Sequence, residues 1–250
     1  MFKPVLSVIT IVYNNVRDIE RTMLSVLNQT YPNMEYIIVD GASNDGTLQI
    51  IKRYESRIAK LISEKDKGIY DAMNKGLASA TGDYVIFMNS GDEFYANDTV
   101  ARVFESADDA DIYYGETEMI NDAGESLGRR RHKAPARFTW RSFKYGMSVS
   151  HQAIYIRRSL TAPYDSRYQL SADIDWIIRA AQKAKKIVNV NLYVAKYLVG
   201  GMSKTKHRQS LAERFDIMKR YYGLLPTVLN HFVIAANLGW YLLVNRRTND

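Results

Sequence analysis

Three features of the first hundred residues predict a doubly wound α/β domain, with a mainly parallel sheet flanked by helices. Three short apolar runs recur, at Ser7–Val12, Tyr36–Val39 and Tyr84–Met88. Each breaks off into small polar and acidic residues: Tyr13-Asn14-Asn15, then Asp40-Gly41-Ala42-Ser43-Asn44-Asp45-Gly46, then Asn89-Ser90-Gly91-Asp92. Segments of helical periodicity lie between the runs, so the strands should be parallel. All three polar clusters then emerge at one sheet edge, outside the carboxyl ends of the strands, where open α/β sheets bind ligands.

The elements follow in order. The first strand ends near Tyr13, and Asn14 or Asn15 is placed to cap a helix over Val16–Leu27, whose Ile19, Met23 and Val26 recur at helical spacing. Asn28–Asn33, with Pro32, turns the chain back. Thr47 opens a second helix with Leu48, Ile51 and Ile58 on one face, and Ala59–Ser63 reads as a short strand. A third helix, Ile69–Ala78, carries Ala72, Met73 and Gly76 on its packing side, with Gly82 placed to end it. Beyond Asp92 the pattern loosens. Asp111–Ile120 reads as a strand pair about Asn121-Asp122-Ala123-Gly124, Ser148–Ile156 as a strand, Ser171–Ala184 as a helix and Ile187–Val194 as the last strand.

The run Leu224–Val244 is long enough to span a bilayer. Its Pro226, Asn230, His231, Asn237 and Gly239 argue instead for a helix lying in the membrane interface or packed on the domain.

At 250 residues and 46% hydrophobic, the chain can bury one large core. It has no cysteine, which excludes disulfides and thiolate chemistry. Met1-Phe2-Lys3-Pro4 runs straight into the first strand, so no signal peptide is expected. The net charge of +7 is clustered in Arg129-Arg130-Arg131-His132-Lys133, Arg157-Arg158, Lys204-Thr205-Lys206-His207-Arg208 and Arg246-Arg247. Such clusters attract phosphates or are merely solvated. No nucleic-acid motif accompanies them, and no nucleic-acid partner is expected.

Two clusters carry candidate chemistry. A carboxylate at a strand end, Asp40, can hold a ribose hydroxyl or a base edge, or else simply nucleate a turn. Asn89-Ser90-Gly91-Asp92-Glu93 places oxygen donors past a buried strand, the ligand type that Mg²⁺ or Mn²⁺ shares with a substrate's phosphates.

Taken together these strings resemble the family 2 glycosyltransferases of the GT-A fold, inverting enzymes that use nucleotide-sugars. The resemblance is carried by Ser7-Val8-Ile9-Thr10-Ile11-Val12-Tyr13-Asn14, by Ile37-Ile38-Val39-Asp40-Gly41-Ala42-Ser43-Asn44-Asp45-Gly46-Thr47 and by Gly82-Asp83-Tyr84. The string Ser63-Glu64-Lys65-Asp66-Lys67-Gly68-Ile69-Tyr70-Asp71-Ala72-Met73-Asn74-Lys75-Gly76 looks like the branch working on bacterial capsule, colanic-acid and O-antigen polysaccharides.

The resemblance implies a single GT-A domain: a nucleotide-sugar half over 1–110, an acceptor half over 111–200, and a lid segment with a C-terminal helical extension over 201–250. It implies nucleotide contacts from Thr10, Tyr13, Asp40, Asp66, Lys67 and Asn89, with Tyr13 against the base and Asp40 hydrogen-bonded to it. Asn89-Ser90-Gly91-Asp92 occupies the family's Asp-x-Asp place. Here the chain departs from the pattern, since the usual acidic positions are Asn89 and Gly91 and only Asp92 remains.

A divalent metal, Mn or Mg, is implied at Asp92 with His151, weakly held without nucleotide. Asp173, in Ser171-Ala172-Asp173-Ile174-Asp175-Trp176, is implied as the general base. The plainer reading of Asp173 and Asp175 is acidic residues favouring a helix N-terminus. Gly200-Gly201-Met202-Ser203 with Glu213 resembles a segment that closes over the donor. The implied partners are a UDP-sugar and a saccharide or polyprenyl-linked saccharide acceptor, with hexosyl transfer at the cytoplasmic face of a membrane. Rival readings are a nucleotidyltransferase acting on sugar phosphates and a non-catalytic protein of the same fold. The first would want a glycine-rich basic loop where this chain has Tyr13-Asn14-Asn15-Val16.

Overall fold

The computed structural model describes residues 3–130, 132–200 and 207–246, with the side chains of 208–236 in the last stretch. The first half follows the expected alternation: β1 (Leu6–Val12), α1 (Ile19–Leu27), β2 (Met34–Asp40), α2 (Thr47–Lys52), β3 (Lys60–Ser63), α3 (Ile69–Ser79) and β4 (Tyr84–Phe87). There follow β5 (Glu93–Phe94), α4 (Thr99–Glu105), β6 (Ile112–Ile120), β7 (Ser126–Arg129), β8 (Ile154–Arg157), α5 (Ala172–Lys183), β9 (Ile187–Leu198), α6 (His207–Tyr222) and α7 (Leu224–Arg246).

One sheet runs β3-β2-β1-β4-β8-β6-β9-β5, with β7 paired to β6. It is parallel across β3-β2-β1-β4, as predicted. Beyond that it is mixed, because β8 lies antiparallel between β4 and β6 while β6 and β9 are parallel. All seven residues of β1 are buried. Ile9 and Ile11 enter one core, whereas Leu6, Val8 and Val12 enter the core on the other face. Burial on both faces is why the strand reads as an unbroken apolar run rather than an alternation. One core packs α3 and α5 around Trp176, which stacks on Tyr164 at 5.0 Å and meets Phe87 edge-on at 5.6 Å.

Several expectations are corrected. Helix α1 starts at Ile19 rather than Val16, because the two asparagines serve another purpose. The Asn44 N–H donates to Asn14 Oδ1 at 2.9 Å and the Asn15 N–H donates to Thr47 Oγ1 at 3.0 Å, knitting the β1 loop to the β2 loop. Helix α2 ends at Lys52 and a 3-10 turn follows over Glu55–Arg57, so Ile58 lies beyond it. Gly82 does not end α3, which closes at Ala80. Its N–H donates to Ser7 Oγ at 2.9 Å, and a Cβ there would stand 2.8 Å from Val5 O, so the glycine allows a close approach to β1. The strand expected over Ser148–Ile156 begins only at Ile154, after a 3-10 turn over His151–Ala153. Elements β5 and α4 were not foreseen.

The C-terminal run is one helix, α7, and no helix among the described residues is long and apolar enough to cross a membrane. Its polarity is inverted. Thr227 is fully buried, and the His231 ring meets Phe215 at 5.0 Å with Nδ1 2.8 Å from Thr227 O. Leu225, Leu229 and Phe232 face outward, 71%, 57% and 68% exposed.

Candidate active site

The ends of β1, β2 and β4 converge as the sequence implied. Tyr13 stands exposed beside Gly41, whose missing Cβ would lie 3.2 Å from the Tyr13 ring and 2.8 Å from Asp66 Oδ2. A side chain at 41 would fill this flat recess. Asp40 lies beneath it, fully buried, accepting the Ser43 N–H at 3.2 Å and the Ser63 hydroxyl at 2.7 Å. Lys75 Nζ fixes Asp66 from 2.7 Å. Lys67 is exposed, with its N–H donating to Asp71 at 3.0 Å. Asn14 and Ala42 both sit at positive φ, 47° and 61°, a region uncommon for residues other than glycine.

Thr10 does not join this group. It is fully buried, donating to Met88 O at 2.8 Å and bonded to Tyr36 OH at 3.0 Å, which leaves no surface for a ligand. The apolar strand that aligns Thr10 with the family string also carries it into the sheet interior.

Past β4 a cleft of about 580 Å³ opens, bordered by Asn15, Asn89, Ser90, Asp92, His151 and Asp173. Asp92 is 5% exposed, and both its oxygens are engaged: Oδ2 by Gln152 Nε2 at 2.7 Å, Oδ1 by the Leu198 N–H at 3.1 Å. Burial pushes its carboxyl up to about 6, against the Gln152 bond and the nearby His151. Gln152 is itself fixed by Ser150. Sequence reasoning missed Gln152, which follows His151 on a 3-10 turn and carries no periodic signal.

The substitution at Gly91 has a packing cause. Gly91 sits at φ 104°, its N–H donates to Thr22 Oγ1 at 2.8 Å, and a Cβ would stand 2.8 Å from Leu198 Cδ2. An acid there would be strained and pushed into Leu198. Gly91→Asp is therefore expected to destabilise the protein by about 1–3 kcal/mol without adding a ligand. Thermal melting and titration with Mn²⁺ alone check this; a variant of unchanged stability that binds Mn²⁺ more tightly would refute it.

The third group centres on Asp173, in the first turn of α5. Tyr70 OH donates to its Oδ1 at 3.2 Å, and His151 Nδ1 lies 3.5 Å from its Oδ2. His151 Nε2 lies 3.0 Å from Asn89 Nδ2, so the ring bridges Asn89 and Asp173. Burial raises the cost of charging Asp173, but the bond and charge of His151 and the charge of Arg214 outweigh it, so its carboxyl lies below the usual range. It is ionised at neutral pH. Asp175, two residues on and so on the opposite face of the helix, is a different residue in function. It is fully buried and accepts from Arg179 Nε at 2.7 Å and Tyr221 OH at 2.6 Å, tying α5 to α6. The sequence could not tell these two acids apart; packing does.

The donor set suits a hard cation. Asn89 Oδ1 is buried without a hydrogen-bond partner among the described residues, and Asp92 follows on the same loop. An amide oxygen and one carboxylate fit an ion shared with a diphosphate. Among the described residues no group of three His, Cys, Asp or Glu side chains could hold a metal by itself. Gly201-Met202-Ser203, Lys204 and Lys206 lie outside the described residues. Glu213 is described: it accepts the N–H groups of Gln169 at 3.1 Å and Leu170 at 2.8 Å, pinning a cleft-lining loop to α6.

Comparison with known proteins identifies the family and the fold. The chain is 36% identical over 185 residues to an uncharacterized glycosyltransferase of Mycobacterium tuberculosis, covering 71% of this chain and 69% of that one. It is 30% identical over 240 residues to a PGL/p-HBAD biosynthesis glycosyltransferase of Mycobacterium bovis, covering 92% and 91%. The fold matches the crystal structure of S. aureus TarS 1-349 in complex with UDP-GlcNAc, with a TM-score of 0.69 and 18% identity over 95% of this chain and 75% of that one. It is a GT-A fold. The model of glycosyl transferase family 2 matches residues 7–162, which include Tyr13, Asp40, Asp66, Asp92 and His151, and the chain belongs to that family.

Proposed function

We propose that this glycosyltransferase moves a hexosyl group, with inversion, from a UDP-sugar to a hydroxyl of a polyprenyl-linked saccharide, in the assembly of a cell-surface polysaccharide. One observation carries the reading. An ionised carboxylate, Asp173, is clamped by Tyr70 and His151 in the same cleft as the oxygen donors Asn89 and Asp92, with the His151 ring between Asp173 and Asn89. Inverting displacement needs a base on the acceptor side and charge neutralisation on the departing side, and the cleft lining supplies a candidate for each.

In this reading Tyr13 covers the base over Gly41, with Asp40 and Asp66 beneath and beside it, and Lys67 reaches a phosphate. Asp173 takes the proton of the acceptor hydroxyl as its oxygen bonds to the anomeric carbon and the bond to the diphosphate breaks. The nucleotide leaves with both bonding electrons. Mn²⁺ or Mg²⁺, held by Asp92 and Asn89 together with the diphosphate, would supply Lewis acidity to the leaving group. His151 orients Asp173, and can ligate the ion only by exchanging the Asn89 amide at Nε2.

Calorimetric titration with UDP, with and without Mn²⁺ and with GDP as comparator, tests the donor site. Micromolar UDP binding strengthened by Mn²⁺ is expected. The Mn²⁺ gain should fade as the pH drops through about 6, because the Asp92 carboxyl, raised by burial, is protonated below that value and loses the negative charge that attracts the cation. Asp92→Asn should show no gain at any pH. No binding of either nucleotide by folded protein would overturn the reading.

The outward stripe of α7 supports a peripheral place at the cytoplasmic face of a membrane. Replacing Leu225, Leu229 and Phe232 with Gln is expected to abolish sedimentation with anionic liposomes, at about 2 kcal/mol per buried side chain. Unchanged sedimentation would assign the stripe elsewhere.

A further inference from the structure

A second chamber, of about 310 Å³, lies behind the first. The two share a wall: His151, Gln152, Leu170, Asp173 and Tyr197 line both. Asp173 therefore faces each chamber. Met147, Met218 and Ile234 also line the second, the last of these on α7.

Its charge is unbalanced. Arg130 and Arg214 both line it. Arg130 is half-buried and donates through Nη2 to Met147 O at 2.7 Å. Burial pushes its guanidinium below its ordinary value, and the charge of Arg214 pushes the same way, against Asp173, Tyr197 and Glu116. Arg214 Nε is buried with no hydrogen-bond partner among the described residues. Asp173 sets one carboxylate against these two guanidinium groups, which leaves an excess positive charge and an unmet buried donor that a further anion would satisfy. The nearby carboxylates are already engaged. Asp173 receives Tyr70 and faces His151, and Glu116 accepts the Ala134 N–H at 3.2 Å.

We infer that this chamber is a phosphate site: Arg130 and Arg214 hold a phosphate ester carried by the acceptor, and so present the neighbouring sugar hydroxyl to Asp173. The word acceptor rests on the transferase reading above; the anion site itself does not. Guanidinium groups suit the task, since their donors match phosphate oxygens in pairs. Met147, Met218 and Ile234 place apolar surface beside the phosphate, where a prenyl chain would run toward α7.

The test uses the full chain saturated with UDP, so that the donor site is filled, titrated separately with inorganic phosphate and with geranyl phosphate. Both are expected to bind. Arg214→Gln and Arg130→Gln should each weaken them about tenfold or more, with UDP affinity unchanged, and Arg214→Lys should recover part of the loss. Tighter binding of geranyl phosphate than of phosphate makes the source a lipid phosphate; equal binding makes it a phosphate on a soluble or polymeric acceptor. Either supports the site. Absence of binding to folded wild type, or equal binding to wild type and both glutamine variants, overturns it. Should the chain fail to bind UDP, the same titrations on the free protein still decide the anion site, and the donor reading falls separately.

Discussion

Asp173→Asn is expected to lower sugar transfer about a thousandfold, the usual worth of a positioned general base. The exchange keeps the shape of the side chain and an oxygen for the Tyr70 hydroxyl, which donates at 3.2 Å. It removes the charge that faces His151 Nδ1 at 3.5 Å and the lone pair that would receive the acceptor's proton. UDP affinity should stay within about twofold, because Tyr13, Gly41 and Asp66 are grouped at the ends of β1 and β2, away from α5. Single-turnover transfer and calorimetry measured on the same preparation separate the two quantities. Wild-type turnover would remove Asp173 as the base. The wild-type pH profile gives a second check. Since the Asp173 carboxyl lies below the usual range, its acid limb should not fall between pH 5 and 8, and any loss there has another source.

Asp175→Ala should do the reverse, sparing the chemistry and removing the stability. Its carboxylate is fully buried and carries Arg179 at 2.7 Å, Tyr221 OH at 2.6 Å and Arg220 at 3.5 Å. Deleting it leaves a guanidinium and a phenol hydroxyl facing a void between α5 and α6. Removing one partner of a buried pair costs about 3–5 kcal/mol. For a chain of this size that is a drop on the order of 10 °C in Tm. UDP binding per folded molecule should not change. A melting temperature within about 2 °C of wild type would show that the network is dispensable.

The contrast between these two acids shows where sequence reading stops. The segments β1, β2 and β4 and their polar ends were legible because parallel strands buried on both faces leave continuous apolar runs, punctuated sharply by Asn, Asp and Gly. That placed Tyr13, Asp40, Asn89 and Asp92 at one edge, whereas Asp66 followed only from the family resemblance. Thr10 was misplaced for the same reason: a threonine in such a run can point into the sheet, and its hydroxyl is used at Met88 O. The second half was thin because its pairings are distant. Strand β8 joins β4, and β9 joins both β6 and β5, so no local pattern announces them. Gln152 and Tyr70 act through contacts of the same long range. Arg130 was visible only as part of a basic cluster, and a charged cluster looks alike whether it is solvated or folded into a chamber.

The insertion of β8 between β4 and β6 also sets a timetable for synthesis. When β1 to β4 have left the ribosome, β4 has β1 on one side and a bare row of N–H and C=O groups on the other. Its partner, Ile154–Arg157, is made only after β5, α4, β6 and β7. At about 5–20 residues per second the edge stays open for seconds, a template for other nascent chains. Overproduction that crowds polysomes, or a stall before Ile154, should therefore yield aggregates seeded through the very strand that ends in the Asn89–Asp92 loop.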